Sequence, residues 1–174
     1  MRNGVQRPSC LLDGRLPTLL LLLLSMLGGG GCGPERASLP WLTDFSAAQI
    51  QARQQGRPLL VEFTGSDWCP PCKQLKARIL ETRIFADYAS SNLVLLEVDF
   101  PRWKPQSETQ KQVNQQLQSK FLVEGYPTLV LLGPDGQTWG RQVGLPVTKP
   151  AELIAWIEDQ RRAASRPPVA SPRP

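Results

Sequence analysis

Trp68-Cys69-Pro70-Pro71-Cys72 is the stretch around which this chain is organised. Two cysteines separated by two residues can close a small disulfide or ligate a metal together, and their surroundings decide between these. A largely apolar run, residues 58–63, precedes the pair, and an amphipathic segment, residues 73–80, follows it. Strand, turn and helix in that order put Cys69 at a helix start, where a thiolate is favoured. Pro71 falls in the first helical turn, where proline is accepted because that N–H has no intrahelical partner. The expectation is a redox site.

Composition bounds the alternatives. The 174 residues, 41% of them hydrophobic, suit one domain plus attachments. Four cysteines are too few for a disulfide-built scaffold, and Cys10 and Cys32 lie in or beside an N-terminal segment with the character of a targeting sequence. There is no histidine, which removes the commonest zinc ligand, the usual general base and any Cys-His nucleophile. The net charge of +5 belongs to the ends: Arg2, Arg7 and Arg15 at one, Arg161, Arg162, Arg166 and Arg173 at the other. Between residues 40 and 159 acids and bases nearly balance. Without a basic face on the domain, no nucleic-acid partner is expected.

Residues 1–32 read as a secretory signal: basic residues, an apolar run over 16–27, then small residues. That run is well short of the ~20 residues a spanning helix needs. Cys32 follows four glycines and resembles the cysteine of a bacterial lipobox, which is acylated and becomes the mature N-terminus. The departure is Gly29 where the lipobox has leucine. Two expectations stand for this periplasmic or extracytoplasmic protein: a lipid anchor at Cys32, the leading one, or ordinary cleavage near the glycines without an anchor. Residues 33–40 read as a linker, 41–162 as the domain, and the Pro-rich 163–174 as a disordered tail.

Within the domain, residues 42–55 carry a helical pattern with Thr43 or Asp44 as N-cap, and 59–63 a short buried strand. Glu62 inside that strand has two readings: an edge strand facing water, or a buried carboxylate beside the cysteines. A helix from Cys69 through Leu75, Ile79 and Leu80, and a short one over 84–89, lead to a strand over 93–99. Residues 100–107 (FPRWKPQS) read as a loop, with Trp103 packed on the domain as its anchor or touching substrate. Residues 108–121 read as a polar helix whose apolar positions, Val113, Leu117 and Phe121, are spaced by four along one line. A strand at 129–132, a Gly133-Pro134-Asp135-Gly136 turn, a strand at 137–143 and a helix from Pro150 complete the order. The last helix has Leu153, Ile154, Trp156 and Ile157 as its apolar face. Strands alternating with helices and then a hairpin imply an α/β fold with a mixed sheet of about four strands between helices.

Residues 59–157 resemble the thioredoxin superfamily in motif, element order and spacing. The quoted stretch with Lys73 is its Trp-Cys-x-x-Cys-Lys pattern, and Gly125-Tyr126-Pro127-Thr128 matches its cis-proline before the third strand. The resemblance implies a three-layer sandwich, and it implies roles. Cys69 would be the nucleophile, more exposed than Cys72, with Cys72 the resolving thiol and the two forming a disulfide. Glu62 would be the buried acid that relays a proton to Cys72, where most thioredoxins have Asp. Tyr126 and Pro127 would face substrate, and Trp68 would shield the site. Pro70-Pro71 departs from the usual Gly-Pro and leaves the potential open.

The residues by themselves leave several uses of the pair in play. Exchange chemistry needs a thiolate, and a helix start with a CxxC arrangement lowers a cysteine from ~8.5 to about 3.5–7.5. A structural disulfide is a second use. Zinc would need two more ligands, with no histidine to supply them. Cu(I), held by two thiolates in a non-enzymatic module that binds copper or partner polypeptides, is the alternative function. The leading expectation is a monomeric thiol-disulfide oxidoreductase, reducing or isomerising, with no cofactor or metal. Its partners would be protein thiols and disulfides and a separate electron-donor protein.

Overall fold

The computed structural model describes residues 38–166. The expected signal with Cys32, the linker up to residue 37 and the tail from residue 167 lie outside the described residues. The elements are α1 (Phe45–Gln55), β1 (Leu59–Thr64), α2 (Pro70–Leu75) running into a π-helical turn (Lys76–Leu80), α3 (Arg83–Asn92), β2 (Val94–Asp99), α4 (Glu108–Lys120), β3 (Thr128–Leu132), β4 (Thr138–Val143) and α5 (Pro150–Ala164).

The strands form one mixed sheet in the order β2-β1-β3-β4. β1 runs parallel to β2 and antiparallel to β3, and β3 pairs antiparallel with β4. β1 is therefore central, and all six of its residues are buried, as expected for a near-continuous apolar strand covered on both faces. Strand alternation divides the core in two. Leu60, Leu95, Leu129 and Leu131 pack with Leu75, Ile79, Phe85, Leu153 and Ile157 from α2, its π-turn, α3 and α5. Leu59, Val61, Phe63, Leu96, Val130 and Leu132 pack on the other face with Ala48 and Ala52 of α1 and Leu117 of α4.

Local chemistry sets the element ends. Helix α1 begins at Phe45 rather than at Leu42, because Leu42 bridges to the β2 edge: its N–H donates to Leu95 and its carbonyl accepts from Glu97. Asp44 is the cap, accepting from the Ala47 N–H at 3.0 Å. Thr82 and Ser107 cap α3 and α4 in the same way. At α5 the Glu152 carboxylate accepts from the Thr148 and Lys149 N–H groups, and the helix ends at Ala164, two residues beyond the expected domain boundary. The helix expected through Leu80 closes with an i→i+5 bond from the Glu81 N–H to Lys76. That wider turn lets Leu75, Ile79 and Leu80 all face the core.

One apolar line is corrected. On α4 Val113 is partly exposed, and Asn114 is buried in its place. Asn114 donates from Nδ2 to the Asp99 carbonyl at 2.7 Å, satisfying a main-chain oxygen at the end of β2.

Candidate active site

Cys69 is the N-cap of α2, in extended conformation, and its sulfur accepts from the Cys72 N–H at 3.3 Å. The Cys69 N–H donates to Gly65 and its carbonyl accepts from Lys73. The two sulfurs are joined in a disulfide across a Cα–Cα distance of 5.3 Å. In this oxidised form both cysteines are buried, Cys69 2% and Cys72 1% exposed. The expected greater exposure of Cys69 is therefore absent, because its sulfur is turned back over the first turn of α2.

Tyr126-Pro127 is a cis peptide at the entrance to β3, and the Pro127 carbonyl accepts from Gly144 at 2.8 Å. Trp68 joins this segment to the cysteine turn. Its ring stands edge-on to Tyr126 at 5.8 Å, and its Nε1 donates to the Phe100 carbonyl at 2.7 Å. Tyr126 in turn lies 5.2 Å from the Phe100 ring. The indole lies so close over Gly65 that a Cβ there would stand 2.5 Å from the ring. The structure thus brings Trp68, Tyr126 and the cysteine turn together through a glycine that sequence reasoning did not single out.

Glu62 is buried, 1% exposed, on a central strand. The reading as a water-facing edge residue is corrected: β1 is hydrogen-bonded on both sides and covered on both faces. By alternation Glu62 shares the Leu60 face, the side covered by the helix that starts at Cys69. Its register partner on β2 is Glu97, and Glu97 is ion-paired with Lys76 at 3.0 Å. Glu62 Oε1 has no hydrogen-bond partner. Burial, reinforced by the Glu97 charge, pushes the Glu62 carboxyl up to about 8, against the pull of Lys76. Glu62 is thus a carboxyl that holds its proton near neutrality. Glu97 and Lys76 were not legible beforehand, because only strand register and the turn of α2 set them beside it.

The residues just before Trp68 tie the site to the loop after β2. Ser66 donates to Asp99 from its N–H at 2.9 Å and its hydroxyl at 2.6 Å. The Asp67 carboxylate accepts from the N–H groups of Arg102, Trp103 and Lys104 at 2.8–3.2 Å. Partial burial would raise the Asp67 carboxyl, but these N–H donors outweigh it and hold it down at about 2. Trp103 itself is 73% exposed. The expectation that Trp103 anchors its loop by packing is corrected: Asp67 anchors the main chain and leaves the indole in solvent.

Among the described residues no group of three or more His, Cys, Asp or Glu side chains is placed to hold a metal ion. A cleft of about 480 Å³ between α1 and α4 is lined by none of these site residues.

Comparison with known proteins agrees with this geometry. Residues 45–161 match the family described as thioredoxin-like domain. Disulfide bond reductase DsbH of Chlamydia pneumoniae is 36% identical over 60% of this chain and 63% of its own length. Thioredoxin-related protein DsbJ of the same organism is 33% identical over 67% of this chain but only 34% of its own. The chain thus spans less than two thirds of either relative. The solved structure of a DsbH oxidoreductase superposes with a TM-score of 0.67 at 31% identity, covering 74% of this chain and 88% of that one. With a β2-β1-β3-β4 sheet, a CxxC disulfide at a helix start, a cis-proline before β3 and a family match over these same elements, the chain belongs to the thioredoxin-like domain family.

Proposed function

We propose that this chain is an extracytoplasmic thiol-disulfide oxidoreductase that reduces or isomerises protein disulfides through Cys69-Pro70-Pro71-Cys72. The observation that carries the reading is Cys69 as a sulfur N-cap, disulfide-bonded to Cys72. An N–H aimed at that sulfur and the positive end of a helix favour the thiolate once the bond is reduced. The relative named disulfide bond reductase supports reduction as the direction.

In the reducing direction the Cys69 thiolate attacks one sulfur of a substrate disulfide. The substrate S–S bond breaks, a mixed disulfide forms, and the first substrate sulfur leaves as a thiolate that takes up a proton. Cys72 then loses its proton and attacks Cys69. The mixed disulfide breaks, the Cys69–Cys72 disulfide forms, and the second substrate thiol departs. Two electrons pass from the enzyme dithiol to the substrate, and a separate dithiol donor protein restores them. Glu62 is the proton acceptor in the second step through its ionised form: a carboxyl near pKa 8 is ionised in a minority of molecules at neutrality, and that form takes the Cys72 proton. Tyr126 and Pro127 meet the substrate main chain, and Trp68 walls the site. The balance between reduction and isomerisation rests with the Pro70-Pro71 potential, within the family span of about −270 to −120 mV.

Residues 1–32 act as the export signal, 33–40 as the tether and 41–162 as the domain, with acylation of Cys32 as the membrane anchor. Export gives the dithiol access to disulfide-bearing proteins, which the cytoplasm keeps reduced. Fatty-acid-analogue labelling tests the anchor: label lost in Cys32→Ser supports it, and label unchanged in that variant removes it. Insulin reduction by a small dithiol tests the activity. Turnover lost in Cys69→Ser is the expected result, and turnover unchanged by that substitution refutes the assignment.

A further inference from the structure

Between β2 and α4 the chain makes a loop, residues 100–107, whose outer part belongs to neither core. Between its ends, which the Phe100 N–H on Thr64 and the Ser107 cap of α4 hold, its fixings lead to the three residues before Cys69 and to the end of β2. The Phe100 carbonyl takes the Trp68 indole N–H. The N–H groups of Arg102, Trp103 and Lys104 converge on Asp67. Lys104 Nζ reaches Ser66 Oγ at 3.1 Å, and Gln106 Nε2 reaches the Asp99 carbonyl at 3.1 Å. With Pro101 and Pro105 restricting the main chain as well, the loop is held in one shape. Asp67 lies two residues from Cys69, no more than ~7 Å of extended chain.

What this rigid loop presents is unusual. Trp103, 73% exposed, shows more of itself than any other large apolar side chain among the described residues. Arg102 lies 4.0 Å over the Trp68 ring, and Lys104 stands on the far side of Trp103 in sequence. Neither cation is ion-paired among the described residues, and the ammonium of Lys73, also exposed, donates to the Asp67 carbonyl. The two nearby acids, Asp67 and Asp99, are turned inward onto N–H and hydroxyl donors. An indole held out in water and flanked by cations that no carboxylate neutralises is the composition of an interface anchor.

We infer that residues 102–104 form a docking ledge for protein substrates whose disulfide is flanked by an apolar side chain and by carboxylates. The apolar group packs on Trp103, and the carboxylates meet Arg102 and Lys104. The inference rests on the oxidoreductase reading above for the identity of the partner. The ledge selects substrates, and the bond exchange stays with Cys69 and Cys72.

The test uses two disulfide-bonded peptides that share a Leu next to the cysteine and differ only in Glu or Lys flanks, together with serine versions that bind without reacting. At low salt the wild-type protein is expected to bind the acidic serine peptide about tenfold tighter than the basic one, the scale supplied by two exposed charge contacts that attract one peptide and repel the other. The same ratio is expected in kcat/KM for the reactive pair. Arg102→Gln with Lys104→Gln brings the ratio to within about twofold, Lys104→Glu turns it toward the basic peptide, and Trp103→Ala weakens both peptides about fivefold. Thermal melting checks that each variant is folded, which the exposure of these side chains favours. Equal binding of the two serine peptides by the wild type, or a ratio unchanged in the variants, overturns the ledge whatever the turnover. Selective binding with no turnover of either reactive peptide leaves the ledge standing and overturns the oxidoreductase reading.

Discussion

Glu62 shows how one residue changes meaning once its strand is placed. In the sequence it is a glutamate in an apolar run, readable as an edge residue and, more favourably, as a buried acid. Its neighbours across the sheet, Leu129 and Glu97, decide the matter, because a strand paired on both sides has no watery edge. The carboxyl, raised from about 4.5 to about 8, has a definite sign for stability. The native state binds its proton more tightly than the unfolded chain does, so its contribution is intact below about pH 4.5 and is lost as pH rises through about 8. Glu62→Gln is therefore expected to raise stability by ~2 kcal/mol or more above pH 8 and to change it little at pH 4, by denaturant melts at both values. The same substitution is expected to slow resolution of the mixed disulfide by about 10²-fold near neutral pH, in stopped-flow single turnovers. A gain in stability with no loss in rate would leave Glu62 as a strained core residue and nothing more.

At the scale of elements, the strand-turn-helix around the cysteines was legible because apolar periodicity, two prolines and the cysteine spacing all point the same way. The cap at Cys69 follows from that pattern. The loop clamp did not, since nothing adjacent to Asp67 in sequence announces that it will receive three N–H groups from residues 35–37 positions away. Trp103 was misjudged for the same reason: an indole in a loop ordinarily packs, and here long-range hydrogen bonds hold the main chain instead. On α4 the i, i+4 line was a fair reading of periodicity, yet Asn114 is buried because the end of β2 needs a donor. The clamp carries its own expectation. The Asp67 carboxyl is depressed to about 2, so its contribution is present above about pH 4 and is lost as pH falls toward 2. Asp67→Asn is expected to speed amide hydrogen exchange at 102–104 by about tenfold or more at neutral pH while leaving β1 amides unchanged. Exchange rates that do not move would mean that the loop is held by its bonds to Trp68, Ser66 and Asp99 and by its two prolines, without the Asp67 clamp.

For the whole molecule, the central strand is the common wall of two cores, and the disulfide is mounted at its C-terminal end. Phe63 is fully buried among the α1 and α4 side chains, with its ring 6.0 Å from Phe121. Phe63→Ala is expected to cost about 3–5 kcal/mol in denaturant melts. A loss under about 1 kcal/mol would mean that this core can collapse around the gap. Element order, strand count and the mixed sheet were readable from alternation and turn signals. The π-turn after α2, the bridge of Leu42 to β2 and the Glu62–Glu97–Lys76 grouping were not, because each arises where segments distant in sequence meet.

The central claim is covalent: Cys69 takes a substrate sulfur and Cys72 releases it. The most direct measurement is mass spectrometry of a Cys72→Ser variant mixed with a disulfide-bonded protein substrate. The account predicts a mixed disulfide at Cys69 that accumulates within minutes and is discharged by an added dithiol. Absence of any Cys69 adduct, with the reduced wild-type dithiol equally inert toward the same substrate, would contradict it.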